Sequence, residues 1–380
     1  MNSKKKIESL QVLRGLAFLS VYLSHVNIPK YSTYGGWGVS IFLVLSGFLM
    51  VYQYYDRNFD LSPRSSLMFS AKRINKLYYL YIITMAAYLL VPVFFENSTP
   101  LQEVKSNYKI ILVDLVLMQS WFPRKKYYFS LNSPAWYLSA CLFLYAAFPY
   151  VLFLIKKLKN KKQIVFCMIF IYALHLFIGY SVQFGFISNT HLMGMIKKVS
   201  DNTIKWAIYI NPLYRLGDFI LGCLLGLFYV YTYRDSDSEE KTSVQVKYTI
   251  LEIFALFLYV LSRMIRISLI KVPLLNRGWF IYSGVYIPSS LIIVWLFALE
   301  KGAITRTIHY KWLVFIGNYS MYAYLIHKPI LAYTKKIWEL LFSIKITTFQ
   351  LNITALIITL ILSVLFEKHQ KTVSARLHIS

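Results

Sequence analysis

Long apolar runs alternate with short, lysine-rich polar segments along almost the whole chain. A helix needs about 20 mostly apolar residues to cross the hydrocarbon core of a bilayer. Segments of this length and character predict ten membrane-spanning helices, over residues 7–26, 38–55, 74–93, 135–155, 163–181, 213–232, 248–267, 279–299, 313–333 and 350–366. The predicted fold class is therefore all-α, a polytopic transmembrane helix bundle in a single membrane domain over 1–380, with its core at 7–366 and no separate soluble domain.

One further apolar stretch, residues 108–121, is too short for a normal span and carries Asp114. If it does not cross and the N-terminus is cytoplasmic, most Lys and Arg of the connecting segments, including the run at 156–162, lie in the cytoplasm, as the positive-inside rule requires. If it crosses, the later segments change sides and the bias shrinks. We therefore predict ten spans, both termini in the cytoplasm, and a re-entrant or interfacial helix at 108–121.

The lysines at positions 4–6 precede an apolar run, as in a signal peptide. However, this run contains Arg14 and His25 and lacks a small-x-small cleavage site. We expect it to be retained as the first membrane helix.

Composition strengthens the membrane interpretation. Hydrophobic residues make up 57% of the chain and charged residues 15%, whereas an ordinary soluble domain carries about 25% charged residues. The net charge of +25 would indicate nucleic acid in a soluble protein. Here the cations flank apolar runs, so we expect membrane lipids and no nucleic acid as partners. The three cysteines lie in apolar stretches without a CxxC spacing, which predicts neither a metal nor a redox site.

Ionisable residues within spans are the main functional signal, because a charge at bilayer depth is costly. Arg14 and His25 are eleven residues apart, which places both on one helix face about 16 Å apart. Such a face would suit a polar path across the membrane. Alternatively, Arg14 extends to the headgroups and His25 caps the helix end. The spacing alone leaves both interpretations open.

Other polar positions also have two interpretations. Gly38 and Ser46 accompany a glycine-rich span entrance and a Ser-Gly step, which helix packing alone can explain. Arg73 and Lys76 lie one turn apart and suit phosphates or serve as membrane anchors. His327 is either part of a functional site or a hydrogen-bonded histidine in the packing between helices. Signatures of P-loop, dinucleotide-binding, HExxH and GxSxG proteins are missing.

Six motifs follow one another in an order that resembles the acyltransferase-3 family of integral-membrane O-acyltransferases, from residue 10 to about 370. They are LQVLRGLAFLSVYLSH (10–25), GGWGVSIFLVLSGFLMVY (35–52), AKRINKLYYLY (71–81), SPAWYLSACLFLYAAFP (133–149), RLGDFILGCLLG (215–226) and IGNYSMYAYLIHKPI (316–330).

The resemblance implies transfer of an acyl group, commonly acetyl, from cytoplasmic acyl-CoA to a hydroxyl of an extracytoplasmic or lipid-linked glycan. It also implies the bacterial cytoplasmic membrane as the location. In this interpretation His25 is the base that takes the hydroxyl proton, or a transient acyl carrier. Arg14 binds the CoA pyrophosphate or stabilises developing charge.

The resemblance assigns the donor side to Arg73 and Lys76, which would hold CoA phosphates, with Ser46 and Gly38 lining the passage. It assigns the acceptor side to the residues His327, Arg215 and Trp136, whose indole suits the apolar face of a sugar.

Two departures bear on the mechanism: Ser40 and Cys141 stand where many family members carry acidic residues. Their absence removes two candidate partners of the catalytic histidine. Three other classes remain open from the sequence: a polysaccharide flippase or polymerase, a secondary transporter with related halves, and a catalytically inactive sensor on the same fold.

Overall fold

The computed structural model describes residues 7–26, 28, 34–184, 201–233, 242–270, 284–308, 310–341 and 347–376, and every regular element within these ranges is helical. The all-α fold class is confirmed for this part of the chain. The α-helices are α1 (Glu8–His25), α2 (Gly35–Tyr54), α3 (Pro63–Leu89), α4 (Val91–Phe95), α5 (Pro100–Leu115), α6 (Lys125–Tyr128), α7 (Trp136–Ile155), α8 (Lys161–Phe184), α9 (Asp201–Lys205), α10 (Pro212–Tyr233), α11 (Thr242–Ile270), α12 (Ile287–Leu299), α13 (Ala303–Thr307), α14 (Lys311–Leu341) and α15 (Thr348–Arg376).

Four shorter elements connect these helices. Gln119–Trp121, Ser133–Ala135 and Gly284–Tyr286 are 3₁₀ turns, and Trp206–Ile210 is a turn of π-helix.

Seven helical segments of the described chain are long and apolar enough to cross a membrane. They are Gly35–Tyr54, Pro63–Phe95, Ser133–Ile155, Lys161–Gln183, Asn202–Thr232, Gln245–Arg266 and Thr348–Thr372. The remaining three predicted spans also form helices, in α1, α12 and α14. However, α12 is short, and α1 and α14 carry the polar side chains discussed below. The count of ten spans therefore stays a prediction.

The stretch 108–121 is not one helix. Its first part completes α5, the chain then turns at Leu117 with φ 54°, and a 3₁₀ turn begins at Gln119. Asp114 lies at the end of α5 and is 1% exposed. The segment is thus a short helix end followed by a turn, and it is not among the seven membrane-crossing segments.

Close contacts at glycine residues fix how the central helices are positioned against one another. A Cβ atom added to Gly317 of α14 would clash with the Gln11 carbonyl oxygen of α1. A Cβ atom on Gly222 of α10 would clash with the Val44 carbonyl oxygen of α2. These backbones touch because glycine has no side chain, as is common between membrane helices. α1 packs between α2 and α14.

Candidate active site

Two histidines from distant parts of the chain meet at one end of this central packing. His25 is the last residue of α1, and His327 lies in α14. The Nε2 atom of His327 is 3.2 Å from the Nδ1 atom of His25, and the ring centroids are 5.0 Å apart. His327 is fully buried, with 0% of its surface exposed.

The hydrogen bonds of the pair assign a proton to each ring. His327 Nδ1 lies 3.2 Å from the Ala323 carbonyl oxygen, so in the neutral ring this nitrogen donates and Nε2 carries the lone pair. That lone pair accepts from His25 Nδ1–H, which also lies 3.0 Å from the Val21 carbonyl oxygen. The network therefore leaves His25 Nε2 unprotonated, in the form that a base requires.

His25 also lines a cavity of about 280 Å³. Its walls include the residues Ser24, Trp136, Lys205, Tyr209 and Tyr324. The Trp136 and Tyr209 rings are 5.4 Å apart, and the Lys205 ammonium lies 4.6 Å from the centroid of the Phe129 ring. The described lining contains one ammonium and no carboxylate. The cavity thus combines an imidazole, an ammonium group and several aromatic rings.

The π-helix at Trp206–Ile210 places Lys205 and Tyr209 at this cavity. The Trp206 indole Nε1 donates to the Ser120 carbonyl oxygen at 2.8 Å. Arg215 Nε donates to the Tyr209 carbonyl oxygen at 2.8 Å, and its guanidinium carbon lies 4.6 Å from the Tyr209 ring centroid. Residues of π-helical turns are frequent at functional sites, and here the turn aims Tyr209 inward.

Arg215 itself lies behind the cavity wall. It is 0% exposed and pairs with Asp218 at 3.3 Å, as the i, i+3 spacing allows. His175 of α8 completes a buried group, with its Nε2 atom 3.8 Å from Asp218 Oδ2. Arg215 therefore contacts the element that carries Tyr209 and is not among the residues that line the cavity.

Arg14 belongs to a second polar region on the same helix. It is half-buried and lies within electrostatic range of the Tyr137 and Tyr145 hydroxyls and of Arg73. Arg73 Nη1 donates to the Tyr54 hydroxyl at 2.9 Å, whereas its buried Nε has no hydrogen-bond partner.

No carboxylate of the described chain lies within ion-pairing distance of Arg14 or Arg73. The two positions noted for lacking an acid fit this picture: Ser40 accepts a hydrogen bond from Ser290 at 3.1 Å, and Cys141 is buried. Two guanidinium groups without an acidic partner form a region that favours an anionic ligand.

Three aromatic rings fill the space between the two regions. Phe42, Tyr137 and Tyr324 have centroids 6.1, 6.0 and 5.5 Å apart. Tyr324 lines the cavity beside His25, whereas Tyr137 is a neighbour of Arg14. Ser46 joins the same cluster, with its Oγ atom 3.5 Å from the Tyr137 hydroxyl.

Two sequence-predicted residues are not among those that form either region. Lys76 is exposed and its ammonium lies 5.9 Å from the Tyr322 ring centroid, so it does not accompany Arg73. Gly38 lies at a helix contact, where a Cβ atom would be 2.5 Å from the Ala17 carbonyl oxygen. Of the remaining predicted residues, His25 and Trp136 line the cavity and His327 supports it from behind.

Several residues of the site were not singled out from the sequence, among them Lys205, Tyr209, Tyr324, His175 and Asn132. Tyr324 stands three residues before His327 in the motif at 316–330. Because residues at i and i+3 share a helix face, the sequence alone could have placed Tyr324 beside His327. Lys205 and Tyr209 lie in a connecting segment, and only the π-helix brings them to the cavity.

Asn132 is another such residue, because its side chain binds a helix that is distant in sequence. Pro329 has no N–H to donate to the Leu325 carbonyl oxygen within α14. The Asn132 amide donates to this oxygen at 2.9 Å and to the Thr84 hydroxyl at 3.0 Å. One side chain thus joins α3, α14 and the segment before α7 near His327.

Comparison with known proteins identifies the family. A family model described as an acyltransferase domain matches residues 7–368. This chain belongs to the acyltransferase-3 family. It is also similar to acyltransferase MdmB of Streptomyces mycarofaciens, with 26% identity over 170 residues that make up 41% of this chain and 42% of that protein. The chain therefore matches less than half the length of this curated relative. No solved structure matches the chain.

Proposed function

We propose that this protein is a membrane O-acyltransferase that moves an acyl group, in the first place acetyl from acetyl-CoA, from cytoplasmic acyl-CoA to a hydroxyl of an extracytoplasmic or lipid-linked polysaccharide. The observation that carries the proposal is the His25–His327 pair, which presents an unprotonated His25 Nε2 to a cavity with aromatic walls. Membership of an acyltransferase family supports the reaction class.

In the proposed reaction, His25 Nε2 takes the proton of the acceptor hydroxyl while the oxygen attacks the thioester carbonyl carbon. The C–S bond then breaks, the ester is released, and the CoA thiolate recovers the proton from the His25 imidazolium. General base catalysis of this kind contributes about 10²- to 10⁴-fold. In the alternative route His25 Nε2 attacks the thioester first, releases CoA, and passes the acyl group to the hydroxyl.

The donor is assigned to the region of Arg14 and Arg73. Their guanidinium groups lack acidic partners in the described chain, and the buried Arg73 Nε is an unused donor. Phosphate oxygens of CoA would complete this set with charge-assisted hydrogen bonds. The resemblance placed Lys76 in this group, but its exposed ammonium points to α14 and not to Arg73.

The size of the acyl group is proposed from the aromatic rings. Phe42, Tyr137 and Tyr324 leave little room between the Arg14 region and the His25 cavity. A short acyl group such as acetyl needs the least displacement of these rings. Trp136 and Tyr209 would bind the acceptor sugar through its apolar face.

The test is the acetyl content of the host's surface polysaccharide, measured by proton NMR. It compares wild type, a deletion strain, and the deletion complemented with His25→Ala or with His369→Ala at matched membrane abundance. His369 is an exposed histidine of α15 and serves as the matched control. We expect loss of acetyl signals on deletion, restoration by His369→Ala, and no restoration by His25→Ala.

Two other outcomes contradict the proposal. Loss of the polysaccharide from the surface in the deletion strain would favour a flippase or polymerase. A normal polysaccharide with unchanged acetyl groups would exclude this acceptor for the enzyme.

A further inference from the structure

We propose that α5 lies flat on the surface of the lipid bilayer, with one apolar stripe among the acyl chains and its lysines at the headgroups. The partner of this helix is the bilayer surface itself. This position is independent of the reaction that the protein catalyses.

Five large side chains form the apolar stripe of α5. Each of them is exposed, by 36% to 62% of its surface. At about 100° per residue they fall within an arc of about 80° around the helix. They are Leu101, Val104, Tyr108, Leu112 and Leu115. An exposed apolar stripe on an otherwise polar helix is typical of helices that lie in a membrane interface.

The charged residues of α5 are divided in the way that such a position requires. Both acidic side chains face the protein, since Glu103 accepts a hydrogen bond from the Ser98 hydroxyl at 2.6 Å and Asp114 is buried. Lys105 and Lys109 are exposed and lie about 60° and 100° from the centre of the apolar stripe. From there their ammonium groups can reach lipid phosphates while the stripe lies among the acyl chains.

The place of α5 in the chain also points to the membrane surface. It lies between two membrane-crossing segments, Pro63–Phe95 and Ser133–Ile155. It has 16 residues and is therefore about 24 Å long, which is too short to cross a hydrocarbon core of about 30 Å. A short amphipathic helix that follows the end of a crossing segment is placed to lie along the bilayer.

The segment after α5 joins it to the wall of the His25 cavity. The Ser120 carbonyl oxygen accepts a hydrogen bond from the Trp206 indole at 2.8 Å, and the Ser120 and Ser139 hydroxyl oxygens are 2.6 Å apart. The π-helix that begins at Trp206 carries Tyr209, which lines this cavity. With α5 on the bilayer surface, this wall of the cavity lies close to the same surface.

The experiment measures lipid contact on two faces of α5 in the full-length protein. The protein is placed in nanodiscs of phosphatidylcholine and phosphatidylglycerol in a Cys167→Ser background, because Cys141 and Cys223 are buried. A polarity-sensitive fluorophore is attached to Leu112→Cys on the apolar stripe or, as the matched control, to Ser106→Cys on the opposite face. Both positions are exposed. An unchanged thermal midpoint checks that each labelled protein is folded.

We expect the fluorophore at position 112 to emit at shorter wavelength and to be quenched by brominated lipids. At position 106 we expect emission as in water, weak quenching by brominated lipids, and quenching by iodide that is several-fold stronger than at position 112.

Three results would overturn the proposal. Equal access of iodide to both positions would place the whole helix in water. Equal quenching of both by brominated lipids would mean that α5 is inserted across the membrane. Protection of position 112 from iodide without quenching by brominated lipids would mean that protein, such as a second copy of this chain, covers the stripe.

Discussion

At the scale of single residues, the proposed mechanism gives the two histidines the roles that a histidine and a carboxylate have in many enzymes. His327 Nε2 accepts from His25 Nδ1–H, and thereby fixes the ring orientation and the tautomer of His25. A neutral imidazole can do this in a region where the described chain supplies no carboxylate to His25. The family resemblance implies acidic residues where this chain has Ser40 and Cys141, and the histidine pair offers the proposed base a partner without them.

In the proposed mechanism His327 is a positioning residue, and this role predicts a specific kinetic effect of its substitution. His327→Phe keeps the ring volume but removes the acceptor, so we expect kcat to fall roughly 10- to 100-fold with little change in KM for the acceptor. His327→Gln offers a carbonyl oxygen to His25 Nδ1–H and should retain more activity than His327→Phe. Steady-state kinetics at matched amounts of folded protein check this, and equal activity of the two variants would contradict it.

Asp114 is a second residue whose surroundings decide its behaviour. Burial raises the pKa of this carboxyl from 3.8 to about 7, although a hydrogen bond with Ser130 opposes the shift. The folded protein therefore keeps a proton that the unfolded chain releases above pH 3.8. The free energy of unfolding therefore falls as the pH rises from about 4 to about 7. In that range the unfolded state gains free energy by releasing the Asp114 proton, whereas the folded state retains it.

We expect Asp114→Asn to remove this loss, because an amide does not ionise. The thermal midpoint of the variant in detergent should exceed that of wild type by a few degrees at pH 8, and the two should converge towards pH 4.5. Thermal unfolding measured at several pH values between 4.5 and 8 checks this. A difference that does not vary with pH would show that ionisation of Asp114 is not its cause.

At the scale of elements, the proline inside α14 is accommodated by a hydrogen bond from outside the helix. Asn132 donates to the Leu325 carbonyl oxygen that proline leaves without a helical donor. This oxygen lies two residues before His327 in sequence, so the bond also fixes the helix that presents the histidine. The connection crosses 193 positions of sequence.

A double-mutant cycle tests this connection. Asn132→Ala leaves the Leu325 oxygen unpaired and should cost about 1–2 kcal/mol of stability. Adding Pro329→Ala supplies a backbone N–H at position 329, so the double variant should recover part of this loss. Thermal unfolding of the four proteins gives the coupling, and strictly additive effects would exclude the shared carbonyl as the link.

At the scale of the whole molecule, the described helices divide into peripheral ones and central ones. In α8, α11 and α15 most of the apolar surface is exposed, as suits contact with lipid. In contrast, α1 and α14 carry Arg14, His25 and His327 and pack in the interior. Neither helix is among the seven segments that are apolar enough to cross a membrane by length and composition.

The orientation of the whole chain is tested by labelling with a membrane-impermeant maleimide. In a Cys167→Ser background, Gln102→Cys should react from outside in intact cells, and Asn160→Cys only after permeabilisation, because we predict that 156–162 is cytoplasmic. Both positions are exposed, and Cys141 and Cys223 are buried. Reaction of both from outside would mean that the 108–121 stretch crosses the membrane, and reaction of Asn160→Cys alone would reverse the orientation.

The sequence by itself determined the features that depend on local composition and order. Apolar length predicted the helical class, because lipid leaves few alternatives for the backbone. Six ordered motifs identified the family, and the eleven-residue spacing placed Arg14 and His25 on one helix. Each of these features is local, so each could be read without knowing which helices are neighbours.

Only the tertiary structure decided which residues meet. The pairing of His25 with His327, separated by 302 positions, depends on glycine contacts that set the level of α1 against α14. The π-helix brought Lys205 and Tyr209 to the cavity and left Arg215 behind its wall. The hydropathy of a segment predicts whether it lies in the membrane. It does not predict the rotation of the helix about its axis or the helices that it contacts. Those are fixed by close packing between helices, which a single sequence does not display.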